Sequence, residues 1–171
     1  MAVEFPPPQE KILENARIAA EYLRIPVCIS IILFLQTVAH PKKIKIGDKE
    51  PKARSEEVSI AKTYAAGDQT SPSGFSKMNN KDKIVLANAN PSRFIDMYGA
   101  LPLFRDNLKI GAIGVSGGTK MQDLAICFYS LKKSGFEVQK EWFKMFENLE
   151  EVEKDELQAY FDDLGLFDIL S

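Results

Sequence analysis

The residues able to do chemistry in this chain are few. Gly117 and Gly118 lie between the apolar run 110–115 and Thr119, which begins a helical pattern. Glycines before a helix N-terminus can present free backbone N–H groups to an anion, or can simply form a tight turn at positive φ. The spacing matches no nucleotide fingerprint. Gly111 to Gly114 does not fit Gly-x-Gly-x-x-Gly, and Gly118-Thr119-Lys120 inverts the Gly-Lys-Ser/Thr order of a P-loop. The one histidine, His40, cannot build a zinc site with the distant Cys28 and Cys127. A haem iron needs only one such axial ligand. Ahead of Pro41, the same histidine also suits a surface bend. One histidine gives no spacing from which to argue a Ser-His-Asp or Cys-His set. Glu56 and Glu57 are adjacent, so they diverge on a helix and form no acid/base pair. Lys62 and Tyr64 share that helix and face either a pocket or solvent.

The 171 residues suffice for one domain with a core, and 45% hydrophobic with 27% charged residues is the composition of a globular protein. The net charge of −2 is unevenly spread. Residues 137–171 hold eleven acids against three bases, and residues 1–136 hold nineteen bases against thirteen acids. A mildly basic body thus precedes an acidic segment, which reads as a surface helix or an interaction tail. Lys42, Lys43, Lys45, Lys49, Lys52 and Arg54 form a basic run without interleaved aromatics, which argues against nucleic acid. Both cysteines sit in apolar runs as small hydrophobes, so a reducing, cytoplasmic setting is expected. The start carries Glu4 and Pro6-Pro7-Pro8 rather than a signal-peptide pattern. The apolar run 25–39 falls short of the about 20 residues a membrane span needs, and Pro26, Ser30 and Gln36 interrupt it. No membrane segment is expected.

These residues need elements to position them. The pattern predicts a helix over 9–24, with Ile12, Ala16, Ala19 and Leu23 on one face, ended by Pro26. Residues 27–35 read as a strand apolar on both faces, which calls for helices on both sides of a sheet. Residues 36–46 read as a returning strand, broken near His40-Pro41. A second helix is predicted over 55–66, with Ser55 as cap and Gly67 as stop. Residues 68–92 read as a long polar loop. Residues 93–96 and 100–105 read as strand segments, and 101–105 pairs with 108–115 through an Asp106-Asn107 turn. Thr119 and Gln122 form a capping box for a helix whose face is Met121, Leu124, Ala125, Phe128 and Leu131, ended by Ser134-Gly135. Trp142, Phe143 and Phe146 recur at helical spacing. Leu157, Tyr160, Phe161 and Leu164 form a last short amphipathic helix. The division expected is an arm over 1–8, a domain over 9–135 and an acidic helical extension over 136–171.

These segments resemble the GlcG/HbpS-like proteins, also known as haem-degrading domains, and the C-terminal domain of PduO-type cobalamin adenosyltransferases. The resemblance rests on Ile25-Pro26-Val27-Cys28-Ile29-Ser30-Ile31, on Ser59 to Ala66 with its Lys62-x-Tyr64, on Tyr98-Gly99-Ala100-Leu101-Pro102-Leu103, and above all on Gly111-Ala-Ile-Gly-Val-Ser-Gly-Gly-Thr119 with Gln122-Asp123. It covers about residues 10–133 and implies an α/β (α+β), profilin-like antiparallel sheet of about five strands with helices on both faces. It also implies a homo-oligomer, dimer or higher ring, and haem or another tetrapyrrole as ligand. The implied pocket is lined by Lys62, Tyr64, Gly99, Pro102, Gly117, Gly118 and Thr119, with His40 as candidate ligand to haem iron. The chain departs from the family where Ile32 to Thr37 replaces a Val-Val-Asp-x-x-Gly segment, and where Ala100 replaces a glycine. Those departures imply a pocket reshaped, filled or dead. Three functions follow: a small-molecule binding module, a non-catalytic scaffold or accessory subunit whose acidic extension meets a protein partner, and an enzyme with a repurposed pocket.

Overall fold

The computed structural model describes residues 8–33, 41–68, 98–136 and 149–166. Helix α1 (Pro8–Leu23) buries Ile12, Ala16, Ala19 and Ala20, the face its spacing predicts. It ends with Arg24 in the left-handed region (φ 57°) and with the Ile25 N–H on the Ala20 carbonyl at 3.0 Å. That closure frees Pro26 to start the extended chain. Strand β1 (Val27–Leu33) follows. It pairs antiparallel with the short β2 (Lys42–Ile44), Val27 lying opposite Ile44. The returning strand expected over 36–46 is therefore three residues long among the described residues. Residues 34–40, including His40, lie outside them.

Helix α2 (Ser55–Asp68) runs two residues beyond the expected end and takes Gly67 into its last turn. A glycine can be accommodated in a helix, at a cost of about 1 kcal/mol relative to alanine. Strands β3 (Ala100–Arg105) and β4 (Leu108–Ser116) form the predicted hairpin. Asp106 (φ 51°) and Asn107 (φ 64°) both occupy the left-handed region, as a two-residue turn matched to strand twist requires. The sheet has four strands among the described residues, in the order β2-β1-β4-β3, with every pair antiparallel. The expected α/β architecture stands, with four of the expected five or so strands among the described residues. The segments 69–97 and 137–148, with the expected strand at 93–96 and Trp142, Phe143 and Phe146, lie outside the described residues, as do the arm 1–7 and the end 167–171.

Both faces of the sheet are covered. On one, Val27, Ile29, Ile113 and Val115 share a core with α1 and with α3 (Lys120–Lys133). On the other lies α2, close enough for Ser59 Oγ to meet Ser30 Oγ at 2.8 Å and for Thr63 Oγ1 to donate to the Ser30 carbonyl at 3.3 Å. Small side chains, Ala66, Ala100 and Ala112, fill this second interface. Helix α4 (Glu151–Asp163) completes the set. Its Leu157 and Phe161 are fully buried in the main core, and Phe161 meets Phe128 edge-on with ring centroids 5.3 Å apart. Helix α4 is thus docked through an apolar stripe, while its Glu151 and Asp155 face solvent. No helix among the described residues is long and apolar enough to cross a membrane.

Candidate functional site

The glycine turn ends β4 and starts α3. Thr119 is the N-cap: its hydroxyl accepts the Gln122 N–H at 3.3 Å, and Gln122 Oε1 accepts the Thr119 N–H at 2.8 Å. The predicted capping box is complete. Gly117 has φ 139°, a region closed to most side chains, and a Cβ there would stand 2.5 Å from the Pro26 carbonyl. Beneath this turn lies a pair of buried charges. Lys62 comes from α2 and is 1% exposed; Asp123 comes from α3 and is 2% exposed. The Lys62 ammonium donates to Asp123 Oδ2 at 3.0 Å and to the Val115 carbonyl at 2.9 Å. Asp123 Oδ1 accepts the Gly118 N–H at 2.9 Å.

Gly99 closes the arrangement. Its carbonyl accepts the Val115 N–H at 2.8 Å and the Cys127 thiol at 3.1 Å. A Cβ at Gly99 would lie 2.8 Å from both Asp123 Cβ and the Val115 carbonyl, and 2.9 Å from Lys62 Nζ. Burial pushes the Asp123 carboxyl up, and the ammonium of Lys62 beside it pulls the other way. Burial also pushes the Cys127 thiol up, so it stays protonated and inert. Among the described residues no group of three His, Cys, Asp or Glu side chains could hold a metal ion.

Of the residues singled out from the sequence, Lys62, Gly99, Gly117, Gly118 and Thr119 come together at this one place. Lys62 faces inward to Asp123 rather than outward. Tyr64 is half-buried on α2, and Pro102 is buried in β3 opposite Ala112. His40 lies outside the described residues. Asp123 is the member that sequence reasoning passed over. An acid in the first turn of a helix reads as a favourable dipole partner, which hides a buried role. Its helical spacing to Ile126, Cys127 and Ser130 was the available signal. Tyr160 adds a second unforeseen contact. Its hydroxyl donates to Glu156 at 3.3 Å, on a helix that packs against α3.

The order of elements and this turn can be set against known proteins. The family described as "Haem degrading protein HbpS-like" matches residues 9–132. The chain belongs to the HbpS-like family. The solved structures it resembles include a PduOC–heme complex, 20% identical, with a TM-score of 0.65 over 82% of this chain and all of that one. Klebsiella pneumoniae protein ORFY is 19% identical, with a TM-score of 0.65 over 78% of this chain and 96% of its own. A double mutant of Streptomyces reticuli HbpS is 14% identical, with a TM-score of 0.59 over 76% of this chain and 87% of its own. At such identities the likeness is one of fold. No curated protein sequence matches the chain.

Membership explains the string of glycines physically. In this HbpS-like chain, Gly114 sits under α2, where a Cβ would come 2.3 Å from Thr63 Oγ1 and 2.6 Å from the Ser59 carbonyl. Ser116 lies opposite Cys28 at the end of the β1–β4 ladder. The glycines of this string therefore serve close packing and the turn.

Proposed function

We propose that this HbpS-like protein binds a small molecule, with haem or another tetrapyrrole as the ligand class. The observation that carries the reading is the match over residues 9–132 to a family described by haem degradation. The likeness to a PduOC–heme complex, whose whole length the chain covers, supports it. Haem needs an apolar slot, one axial ligand and donors for its propionates. Tyr64, Pro102, Gly99 and the Gly117-to-Thr119 turn would furnish walls, and Lys62 would hold those walls in place through Asp123. His40 would be the candidate to hold the haem iron, one imidazole being enough for that. A reducing, cytoplasmic setting suits the two buried free thiols, and a homo-oligomer follows from the resemblance.

The test is titration of the purified protein with hemin, followed by absorbance, with His40→Ala in parallel. A saturable Soret shift at stoichiometric hemin, altered by His40→Ala, supports binding and the ligand assignment. A flat titration removes the tetrapyrrole reading.

One observation favours a second reading. The Gly118 and Thr119 N–H groups and the Lys62 ammonium are all engaged within the chain. A turn so occupied suits a non-catalytic scaffold or accessory subunit that meets its partner through the exposed acids of α4. Reversing the charge of Glu151 and Asp155 would then abolish partner capture without unfolding the body. Retention of every partner by that variant would remove this reading.

A further inference from the structure

Asp123 does for the glycine turn what a bound carboxylate would do. Its two oxygens are divided between one backbone donor, the Gly118 N–H at 2.9 Å, and one cation, the Lys62 ammonium at 3.0 Å. The charged groups are almost wholly shut off from solvent. The Val115 carbonyl accepts from the Lys62 ammonium, a Cβ at Gly99 would meet both Asp123 Cβ and Lys62 Nζ, and the Cys127 thiol donates to the Gly99 carbonyl behind them. We propose that this is a built carboxylate site, filled in cis by Asp123, and that removing the Asp123 carboxylate opens it to formate.

The energetics point the same way. Two buried charges give up their hydration, and an apolar pair of similar volume is often as stable. An ion pair retained here does something an apolar pair cannot. It holds the buried Val115 carbonyl and the half-buried Gly118 N–H, two backbone groups at the end of β4. Because the cation and the amide are already taken, an external carboxylate finds no free donor here in the native chain. This inference stands apart from tetrapyrrole binding, since it concerns an interior site and is read without hemin.

Asp123→Ala followed by addition of formate restores the lost atoms, one carbon and two oxygens, above the remaining Cβ. The expected result is a melting temperature that rises with the logarithm of formate concentration, as for any ligand specific to the folded state. Sodium chloride at equal ionic strength gives no such rise, and the native chain is unmoved by formate. Acetate, one methyl larger, rescues Asp123→Gly better than Asp123→Ala. Lys62→Met combined with Asp123→Ala responds to neither. An Asp123→Ala variant indifferent to formate, or a Lys62→Met/Asp123→Ala variant equally responsive, overturns the proposal. Should Asp123→Ala fail to fold in either salt, Lys62→Met/Asp123→Leu decides it through hydrogen exchange. Faster exchange of the Gly118 amide than in the native chain supports the proposal, and unchanged exchange overturns it.

Discussion

Gly114→Ala should destabilise the protein by about 2–4 kcal/mol, although alanine is ordinarily the better strand residue. Replacing a strand glycine by alanine removes unfolded-state entropy and favours folding by about 0.5–1 kcal/mol. Against that stands the position of α2. A Cβ at residue 114 would lie 2.3 Å from Thr63 Oγ1, 2.6 Å from the Ser59 carbonyl and 2.9 Å from the Thr63 N–H. Two of these three atoms are backbone, so no rotamer change relieves them. The helix must back away from the sheet, which costs about 1–3 kcal/mol for overpacking. Lifting α2 also strains the Ser30–Ser59 and Thr63–Ser30 hydrogen bonds, each contributing about 1 kcal/mol. The net is the quoted range. Urea denaturation followed by circular dichroism measures it as a lower midpoint at unchanged m-value. Thr63→Ala in the same chain removes one of the three contacts and should recover only part of the loss, because the Ser59 carbonyl stays. A neutral or stabilising Gly114→Ala would refute the close seating of α2 on β4. Gly135→Ala is the contrasting case: nothing crowds that position, and only its φ of 87° opposes a side chain, so the cost should be nearer about 1 kcal/mol.

Phe161→Ala should cost about 3–5 kcal/mol, since the ring is fully buried against Phe128; a change within about 0.5 kcal/mol in denaturation would mean that α4 does not dock as described. Thr119→Ala should cost about 1 kcal/mol through loss of the capping bond, read as a lower melting temperature. Burial holds the Cys28 thiol up at about 11 from an ordinary 9.0. Below pH 9 the thiol is neutral in both states, and its burial favours folding; as pH rises from 9 toward 11 the unfolded chain loses this proton first, so stability falls. Cys28→Ala should flatten that alkaline slope, and an unchanged slope would contradict the assignment. At pH 8 both thiols should resist a disulfide reagent until denaturant is added, and immediate labelling of the folded chain would show Cys28 or Cys127 to be accessible.

Much of the fold was legible because local signals and packing agree. The capping box at Thr119, the Asp106-Asn107 turn and the Ser134-Gly135 stop each act over a few residues, and each is found where the sequence puts it. Helix α2 runs past the stop that Gly67 suggests, because a glycine in a final turn costs only about 1 kcal/mol, less than packing against the sheet returns. The site was harder to read. Lys62 and Asp123 are 61 residues apart and meet only because α2 and α3 reach the same end of the sheet from opposite faces. Neither residue carries a mark of burial, and charged side chains are almost always exposed unless paired. A lone lysine on a helix therefore reads as a solvent or ligand contact until its partner is known.

The same reasoning fixes what the glycine string can and cannot say about function. Gly114 admits α2, Gly117 adopts a φ closed to most side chains, and Gly118 donates its amide to Asp123. Each demand is set by a neighbour within the chain, so the string would be required by the fold whatever the protein bound. Function must then be sought at side chains that solvent reaches. Of the expected pocket residues, Tyr64 is half-buried on α2 and Thr119 is exposed at the head of α3, whereas Lys62 is not available to a ligand without breaking its bond to Asp123. If hemin binds, Lys62→Met should change the affinity through the shape of the turn, and Lys62→Arg should fail to conserve it. Arginine's planar fork matches neither the space beside Gly99 nor the single carboxylate oxygen that the ammonium now meets. Equal hemin affinity in Lys62→Arg and the native chain would show that the cation's charge matters and its geometry does not, contrary to the packing described here.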